Sequence, residues 1–350
     1  MNTIKNKSTK IDGLNLEQDR LDVFPSVAVL IPAYRAEKHI LKVLAAIPHF
    51  VSLIIVVDDC SPDRTADLVQ NYPDPRVCLV SHKQNQGVGG AVLSGYQKAI
   101  ELGAEIIVKV DSDGQMDPAY LLPLIAPILM NQADYTKGNR FLHADQIKVM
   151  PLIRRIGNAG LSFLTKAASG YWNIFDPTNG YTAIHASIVP LLDTNKLHRR
   201  YFFESSMLIQ LGMLRAVIED VEIPAKYQDE VSSLSEWKAL FEFPPRLLAG
   251  FLRRLVVQYF VRDFGVFSML LVSGLGLSAF GLFFGIYHWY LSSMTASIAS
   301  TGTVMIAVLP LILGSQFLIQ SMIVDMQNVP QKPVHNRLDV LEKLYRELDG

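Results

Sequence analysis

The chain has 350 residues, half of them hydrophobic, a formal net charge of -1 and a mean hydropathy of +0.23. So small a charge excludes a global field aimed at nucleic acid, and two cysteines, Cys60 and Cys78, exclude a disulfide framework and suit free thiols in a reducing compartment. The apolar excess is gathered between Val266 and Val324, which divides the chain into a soluble N-terminal part and a membrane-inserted C-terminal part.

Residues 1–25 are polar and lysine-bearing, lack the apolar stretch of a secretory signal, and read as a mobile lead-in. Val27 to Ile31 is an apolar run closed by Pro32, a strand with its stop. Glu37 to Ile47 then places Ile40, Leu41, Leu44 and Ile47 at helical spacing. Leu53 to Val57 is a second strand ending in Asp58-Asp59, and Ser61-Pro62-Asp63 opens the next helix, since Ser and Asp favour helix starts and proline suits a first turn. Val77 to Val80 gives a third strand, and the loop Asn85-Gln86-Gly87-Val88-Gly89-Gly90 opens a helix over Ala91 to Leu102. The fourth strand, Ile106 to Val110, is followed at once by Asp111-Ser112-Asp113-Gly114-Gln115. Four alternations of strand and helix with short links predict an α/β fold built on a mainly parallel sheet with helices on both faces.

In such a sheet, ligands sit at the carboxyl ends of strands. Pro32-Ala33-Tyr34, Asp58-Asp59, the glycine loop at Gly87 and Asp111-Ser112-Asp113 all fall there or at a helix start. A nucleotide needs that combination: an aromatic or apolar wall, a carboxylate for base or ribose, backbone N–H groups near phosphate, and a metal to screen a diphosphate. Alone, a D-x-D is a solvated acidic turn and a G-x-G-G is close packing; the two occurring with the other clusters point to one site. The glycine pattern is not G-x-G-x-x-G after the first strand, which disfavours a dinucleotide, and no G-K-[ST] follows it, which excludes a P-loop.

Ile31-Pro32-Ala33-Tyr34 with Glu37, Val57-Asp58-Asp59-Cys60-Ser61-Pro62-Asp63-Arg64-Thr65, Asn85-Gln86-Gly87, and Asp111-Ser112-Asp113-Gly114-Gln115 with Pro118 together resemble glycosyltransferase family 2. The branch they are most similar to is the dolichyl- and polyprenyl-phosphate sugar synthases, over roughly Val27 to Tyr227. The resemblance implies a GT-A fold, a nucleoside-diphosphate sugar as donor, a divalent metal (Mg²⁺ or Mn²⁺) and transfer with inversion. By position it implies that Pro32, Ala33, Tyr34 and Glu37 line the nucleoside pocket, that Asp59 meets the base and that Gly87 lies by the nucleotide. It likewise implies that Asp111 and Asp113 hold metal and diphosphate, with Ser112 and Gln115 beside them. Physically, a cation bridging diphosphate oxygens stabilises the charge that builds on the leaving group.

Tyr135 to Arg140 reads as a short fifth strand and a basic loop, Arg140 either touching phosphate or solvated. Gly157 to Ala168 reads as a helix. Asp176-Pro177-Thr178-Asn179-Gly180-Tyr181 precedes a strand at Thr182 to Ile184 and resembles the family's acceptor-side D-x-x-x-G-[FY] motif. Phe202-Phe203-Glu204 opens a helix to about Leu214, and Val217 to Ile223 is a last strand. Glu204 has two readings, a favourable helix-start charge or a group that orients or deprotonates the acceptor. Asp113, Asp176 and Glu204 are the candidate catalytic residues, with Asp176 the first choice for the acceptor. Where lipid-phosphate members carry an arginine and a G-x-S-K run, this chain has Tyr227-Gln228-Asp229-Glu230-Val231-Ser232-Ser233-Leu234. The acceptor's cation would then come from Arg199, Arg200, Arg246 or Lys226.

Arg246 to Arg262 sets Leu247, Leu248, Phe251, Leu252, Leu255 and Tyr259 among four arginines, a basic amphipathic helix expected at a membrane interface. Val266 to Leu291 and Thr303 to Val324 are each long and apolar enough to span a bilayer. Arg246, Arg253, Arg254 and Arg262 precede the first span, Lys332, Arg337, Lys343 and Arg346 follow the second, and 292–302 has no lysine or arginine, which predicts both termini on the cytoplasmic side. The expected organisation is a lead-in at 1–25, a GT-A domain at 26–235, an interfacial segment at 236–265, a hairpin at 266–324 and a short charged cytoplasmic tail at 325–350. The expected activity is one sugar transfer to a lipid-linked acceptor, because the Q-x-x-R-W of processive synthases is missing. Transfer to a hydroxyl of a glycolipid or surface polysaccharide, or a non-catalytic sugar-nucleotide scaffold, are the alternatives. The base, the sugar, the choice between Mg²⁺ and Mn²⁺ and the oligomeric state are not fixed, and a homo-oligomer stays open.

Overall fold

The computed structural model describes residues 25–140, 152–223, 236–338 and 340–341. In chain order these form β1 (Val27–Ala33), α1 (Ile40–Ala46), β2 (Leu53–Asp58), α2 (Thr65–Gln70), β3 (Val77–Ser81), α3 (Val88–Glu101) and β4 (Ile106–Lys109). There follow α4 (Leu121–Leu129), β5 (Tyr135–Asn139), α5 (Leu152–Ser169), β6 (Thr182–His185), α6 (Phe203–Leu214) and β7 (Ile218–Glu222). The C-terminal helices are α7 (Glu236–Val256), α8 (Val266–Thr295) and α9 (Thr301–Gln327).

The strands form one sheet in the order β3-β2-β1-β4-β6-β5-β7. β1 pairs in parallel with β2 and β4, and β6 alone runs against its neighbours, β4 and β5. Every residue of β1 is buried, the near-continuous apolar run expected of a strand covered on both faces. On one face Leu30, Ile55, Val57 and Ile107 pack with Val92 and Tyr96 of α3 and Phe203 and Met207 of α6. On the other, Ile31, Ile54, Val56 and Val108 meet Ile40 and Leu44 of α1 and Leu121, Leu124 and Ile125 of α4. The chain steps outward from β1 to β3, then returns to β4 on the other side of β1. That reversal opens a crevice at the carboxyl ends of β1 and β4, where open α/β sheets bind ligands.

α7 lies on α5 and α6 through Phe243 and Leu247, which join Ala168, Phe202 and Ile209 in a third core. Its other side leaves Leu248, Leu252 and Val256, four residues apart, more than half exposed. α8 and α9, 30 and 27 residues long, are apolar enough to cross a bilayer, and little of either is buried within the protein. They touch through small residues: a Cβ on Gly281 would lie 2.7 Å from the Ala307 carbonyl oxygen, and one on Gly274 would lie 3.1 Å from that of Gly314. Such residues let backbones approach where lipid removes the hydrophobic drive for helix association.

Two polar clusters fasten this hairpin to the sheet domain. Asp325, near the end of α9, takes two bonds from Arg254 of α7 (2.7 and 2.8 Å), one from the Tyr259 hydroxyl (2.6 Å) and one from Trp172 Nε1 (3.0 Å). Beyond α9 the chain returns to the sheet, where Asp134, just before β5, accepts from the backbone N–H of Val334 (2.9 Å) and His335 (2.8 Å) and faces His335 Nδ1 at 2.7 Å. The His335 ring stacks on His185, centroids 4.4 Å apart. Burial alone would push the Asp134 carboxyl up; the bonds from His335, Val334 and Val217 outweigh that and hold it below the ordinary carboxylate range.

Candidate active site

A cavity of about 640 Å³ opens at the carboxyl ends of β1, β2 and β4. Pro32, Ala33 and Tyr34 form one wall as β1 ends; Lys109, Asp111, Ser112 and Asp113 stand where β4 ends; Glu204 and Ser205 come from the first turn of α6. Asp59, Gly87, Thr178, Gly180, Arg200 and Tyr201 also border it, and Phe243 reaches it from α7.

Of the residues the sequence singled out, Pro32, Ala33, Tyr34, Asp59, Gly87, Asp111, Ser112, Asp113 and Glu204 are thus brought to one cavity. Glu37, Gln115 and Asp176 are not among its lining residues. Glu37 instead binds Arg64 at 2.9 Å, and the hydrogen bonds from Arg64 hold its carboxyl below the usual range. The Gln115 N–H donates to Asp113 Oδ1 at 2.9 Å, closing the turn after β4. Asp176 is fully buried and accepts two bonds from Arg140, at 2.8 and 3.3 Å. Arg140, its side chain 40% exposed, is the counter-charge of the buried Asp176. Lys226 and Tyr227 to Leu234 lie outside the described residues.

The glycine loop works differently from the expectation. The Gln86 and Gly87 N–H groups donate to the two oxygens of Asp59, at 2.8 and 2.7 Å, and those of Gly89 and Gly90 point at the Arg199 carbonyl, at 2.9 and 3.4 Å. Donors expected near phosphate are thus already paired within the chain. Asp59 is 3% exposed and also meets His82 Nδ1 at 2.7 Å, so it holds the loop's shape. Gly87 has φ +82°, and a Cβ there would strike the Arg199 carbonyl and Arg200 Cγ, so both conformation and space demand glycine. The glycines serve the close approach of residues 198–200.

Lys109, not singled out from the sequence, is 2% exposed yet borders the cavity. Its Nζ lies 2.8 Å from Asp111 Oδ1 and 3.2 Å from Glu204 Oε1, with the Gly180 carbonyl at 3.3 Å. Burial alone would push its pKa down; the charges of Asp111 and Glu204 outweigh that and hold it above the ordinary lysine range. The available signal was a lysine ending an otherwise apolar strand, since a buried charge requires a partner. Behind it Lys137, fully buried, donates to the Asn179 carbonyl, and burial pushes its pKa down to about 8 against the pull of Asp176 and Glu204.

Two carboxylates facing the cavity fit a hard cation that completes its oxygen shell from a bound diphosphate. The fit is supported at Gly180: a Cβ there would lie 3.0 Å from Asp111 Oδ2, so glycine keeps that oxygen's approach open. No group of three or more His, Cys, Asp or Glu side chains placed to hold a metal occurs among the described residues. Of the arginines expected to supply a cation for the acceptor, Arg200 borders the cavity, Arg199 donates to Gln86 Oε1 at 3.1 Å, and Arg246 lies 5.8 Å from the Phe202 ring centroid, one turn beyond Phe243.

The profile of the family described as Glycosyl transferase family 2 matches residues 28–190. The UDP-N-acetylglucosamine–dolichyl-phosphate N-acetylglucosaminyltransferase of Methanococcus voltae is 34% identical over 218 residues, which are 58% of this chain and 86% of that protein. The undecaprenyl-phosphate mannosyltransferase of Micrococcus luteus is 28% identical over 202 residues, 56% of this chain and 82% of that protein. Among solved structures, glucosyl-3-phosphoglycerate synthase from Mycobacterium tuberculosis, in complex with Mn²⁺ and UDP, is similar with a TM-score of 0.49 and 17% identity, over 71% of this chain and 86% of that one.

Proposed function

The chain belongs to glycosyl transferase family 2, and we propose that it moves one sugar, with inversion, from a nucleoside-diphosphate donor to a polyprenyl-phosphate-type lipid at the cytoplasmic face of a membrane. The observation that carries this reading is the single cavity that gathers Asp111, Asp113 and Glu204 opposite the wall Pro32–Tyr34 and is bordered by Phe243 of α7, the helix that leads into the hairpin. The names of the relatives support the lipid-phosphate acceptor.

In this reading Pro32, Ala33 and Tyr34 flank the nucleoside, while Asp59 keeps the Gln86–Gly87 turn against it. Asp111 and Asp113 would hold a divalent cation, Mg²⁺ or Mn²⁺, whose contribution when bound is to stabilise the charge developing on the departing diphosphate. A phosphate monoester is already a nucleophile and needs cationic binding more than a base; Arg200, which borders the cavity, would supply it. A hydroxyl acceptor would instead require Glu204 as base, yet Glu204 Oε1 already faces the Lys109 ammonium. Residues 26–235 form the catalytic unit, 236–265 lie in the interface, 266–324 span the membrane, and 325–350 face the cytoplasm with both termini. Arginines before the first span and Lys332 and Arg337 after the second support that orientation.

The test supplies purified full chain with polyprenyl phosphate and radiolabelled UDP- or GDP-sugars, with and without Mg²⁺ or Mn²⁺. Label that enters the organic phase and is released by mild acid is the expected result. A label stable to acid transfers the assignment to a hydroxyl acceptor, and the absence of any metal-dependent turnover of every donor leaves a scaffold.

A further inference from the structure

An ammonium has three N–H donors and no acceptor. Around Lys109 Nζ stand three oxygens, Asp111 Oδ1 at 2.8 Å, Glu204 Oε1 at 3.2 Å and the Gly180 carbonyl at 3.3 Å. Its donors are matched one for one, so although Lys109 borders the cavity it has none to offer a substrate without breaking one of these bonds. Asp111 follows β4, on the donor side; Glu204 belongs to the first turn of α6, 95 residues beyond Lys109 in sequence. No hydrogen bond between the two carboxylates is available while both are ionised, and like charges sharing one site repel.

We propose that Lys109 is a positioning residue that fixes the spacing of Asp111 and Glu204, making the donor-side and acceptor-side carboxylates one unit. The idea rests on the transfer reaction inferred above. The ammonium pulls both carboxylates to itself and offsets their repulsion; without it they turn apart, and Asp111 presents a less compensated negative charge to a cation. Gly180 offers a way to disturb the bridge with no change in charge, since a Cβ there would lie 2.6 Å from Lys109 Nζ.

The experiment compares Lys109→Met, Gly180→Ala, Glu204→Gln and the double variant Lys109→Met/Glu204→Gln, by sugar-transfer kinetics and by electron paramagnetic resonance of Mn²⁺ added alone. A misplacement of about 1 Å typically costs ~10²-fold in rate, so Lys109→Met lowers kcat by ~10²-fold while donor KM stays within about threefold. Its Mn²⁺ affinity rises roughly tenfold, because a neighbouring positive charge is gone. The double variant is no slower than Lys109→Met, as expected of residues acting as one unit, and Gly180→Ala lowers kcat without altering net charge. A wild-type kcat in Lys109→Met, a rise in donor KM alone, or additive losses in the double variant would overturn the proposal. Should Lys109→Met fail to fold, Gly180→Ala and the double variant, in which one of the two facing charges is removed, decide it by the same measures. A wild-type chain that transfers no sugar would sink the function read above and leave this bridge to the Mn²⁺ measurement, where an affinity unchanged by Lys109→Met refutes it.

Discussion

Replacing Asp325 by alanine tests whether the hairpin is bolted to the catalytic domain by charge. The Arg254 side chain is 1% exposed and that of Asp325 5%, and the pair is bidentate, at 2.7 and 2.8 Å. Arg254 also donates to the Ala167 carbonyl at 2.8 Å, and its Nε has no partner among the described residues. Removing the carboxylate therefore leaves a buried guanidinium with one good acceptor and a weaker one at Gln258 (3.2 Å). Breaking a buried ion pair from one side costs ~3–5 kcal/mol, whereas replacing both partners with apolar residues is often nearly neutral. At ~2–4 °C per kcal/mol, Asp325→Ala should lower the melting temperature of the detergent-solubilised protein by roughly 10 °C at a fixed scan rate. Arg254→Leu/Asp325→Leu should recover most of that loss. An unshifted melting temperature in Asp325→Ala, or a double variant as unstable as the sum of its parts, would refute the reasoning.

Asp111→Ala and Asp113→Ala should each lower sugar transfer by ~10²–10³-fold with little change in melting temperature; a double variant with wild-type turnover refutes the assignment. Lys137 titrates at about 8 when folded, below its ordinary 10.5, so the fold favours the neutral amine and stability climbs as pH rises from about 8 toward the unfolded value, by at most ~3 kcal/mol. Lys137→Met should flatten that climb in thermal melts between pH 8 and 10, and an unchanged slope counts against it. A Cβ on Gly89 would meet the His198 carbonyl and the Phe203 ring. Gly89→Ala should therefore destabilise by ~1–3 kcal/mol and raise donor KM by displacing residues 198–200; unaltered kinetics would contradict that role for the loop.

The sheet was legible because its signals are local. β1, β2 and β4 are apolar runs with proline or aspartate at or just beyond their ends, although β1 runs through Pro32, expected as its stop, to Ala33, and their pairing follows from short alternating links. Asp111 and Asp113 were legible for the same reason, standing directly after a buried strand. What the sequence hid depends on distant segments meeting. Nothing near Gly89 announces that the Arg199 carbonyl will take its N–H, nor does anything near Asp176 say that Arg140, 36 residues earlier, will be its partner. Asp325 stands just past the uncharged run of the second span and gives no sign in sequence that a buried arginine 71 positions earlier is its partner. Lys109 was visible as a charge in an apolar strand, but its two carboxylates lie two and 95 residues away, and only the fold sets them on one ammonium.

The chain enters the hairpin through α7, clamped at Arg254, and leaves it through a segment pinned to Asp134 beside β5. A body moored at two separated points can rock about the line joining them but cannot swivel or drift outward. On the function proposed above, this mounting would hold the mouth of the cavity at one height above the headgroups, and a lipid-borne acceptor would have to rise to meet it. In that case the mounting itself would favour acceptors whose reactive head rides at that depth, before any contact inside the pocket sorts them.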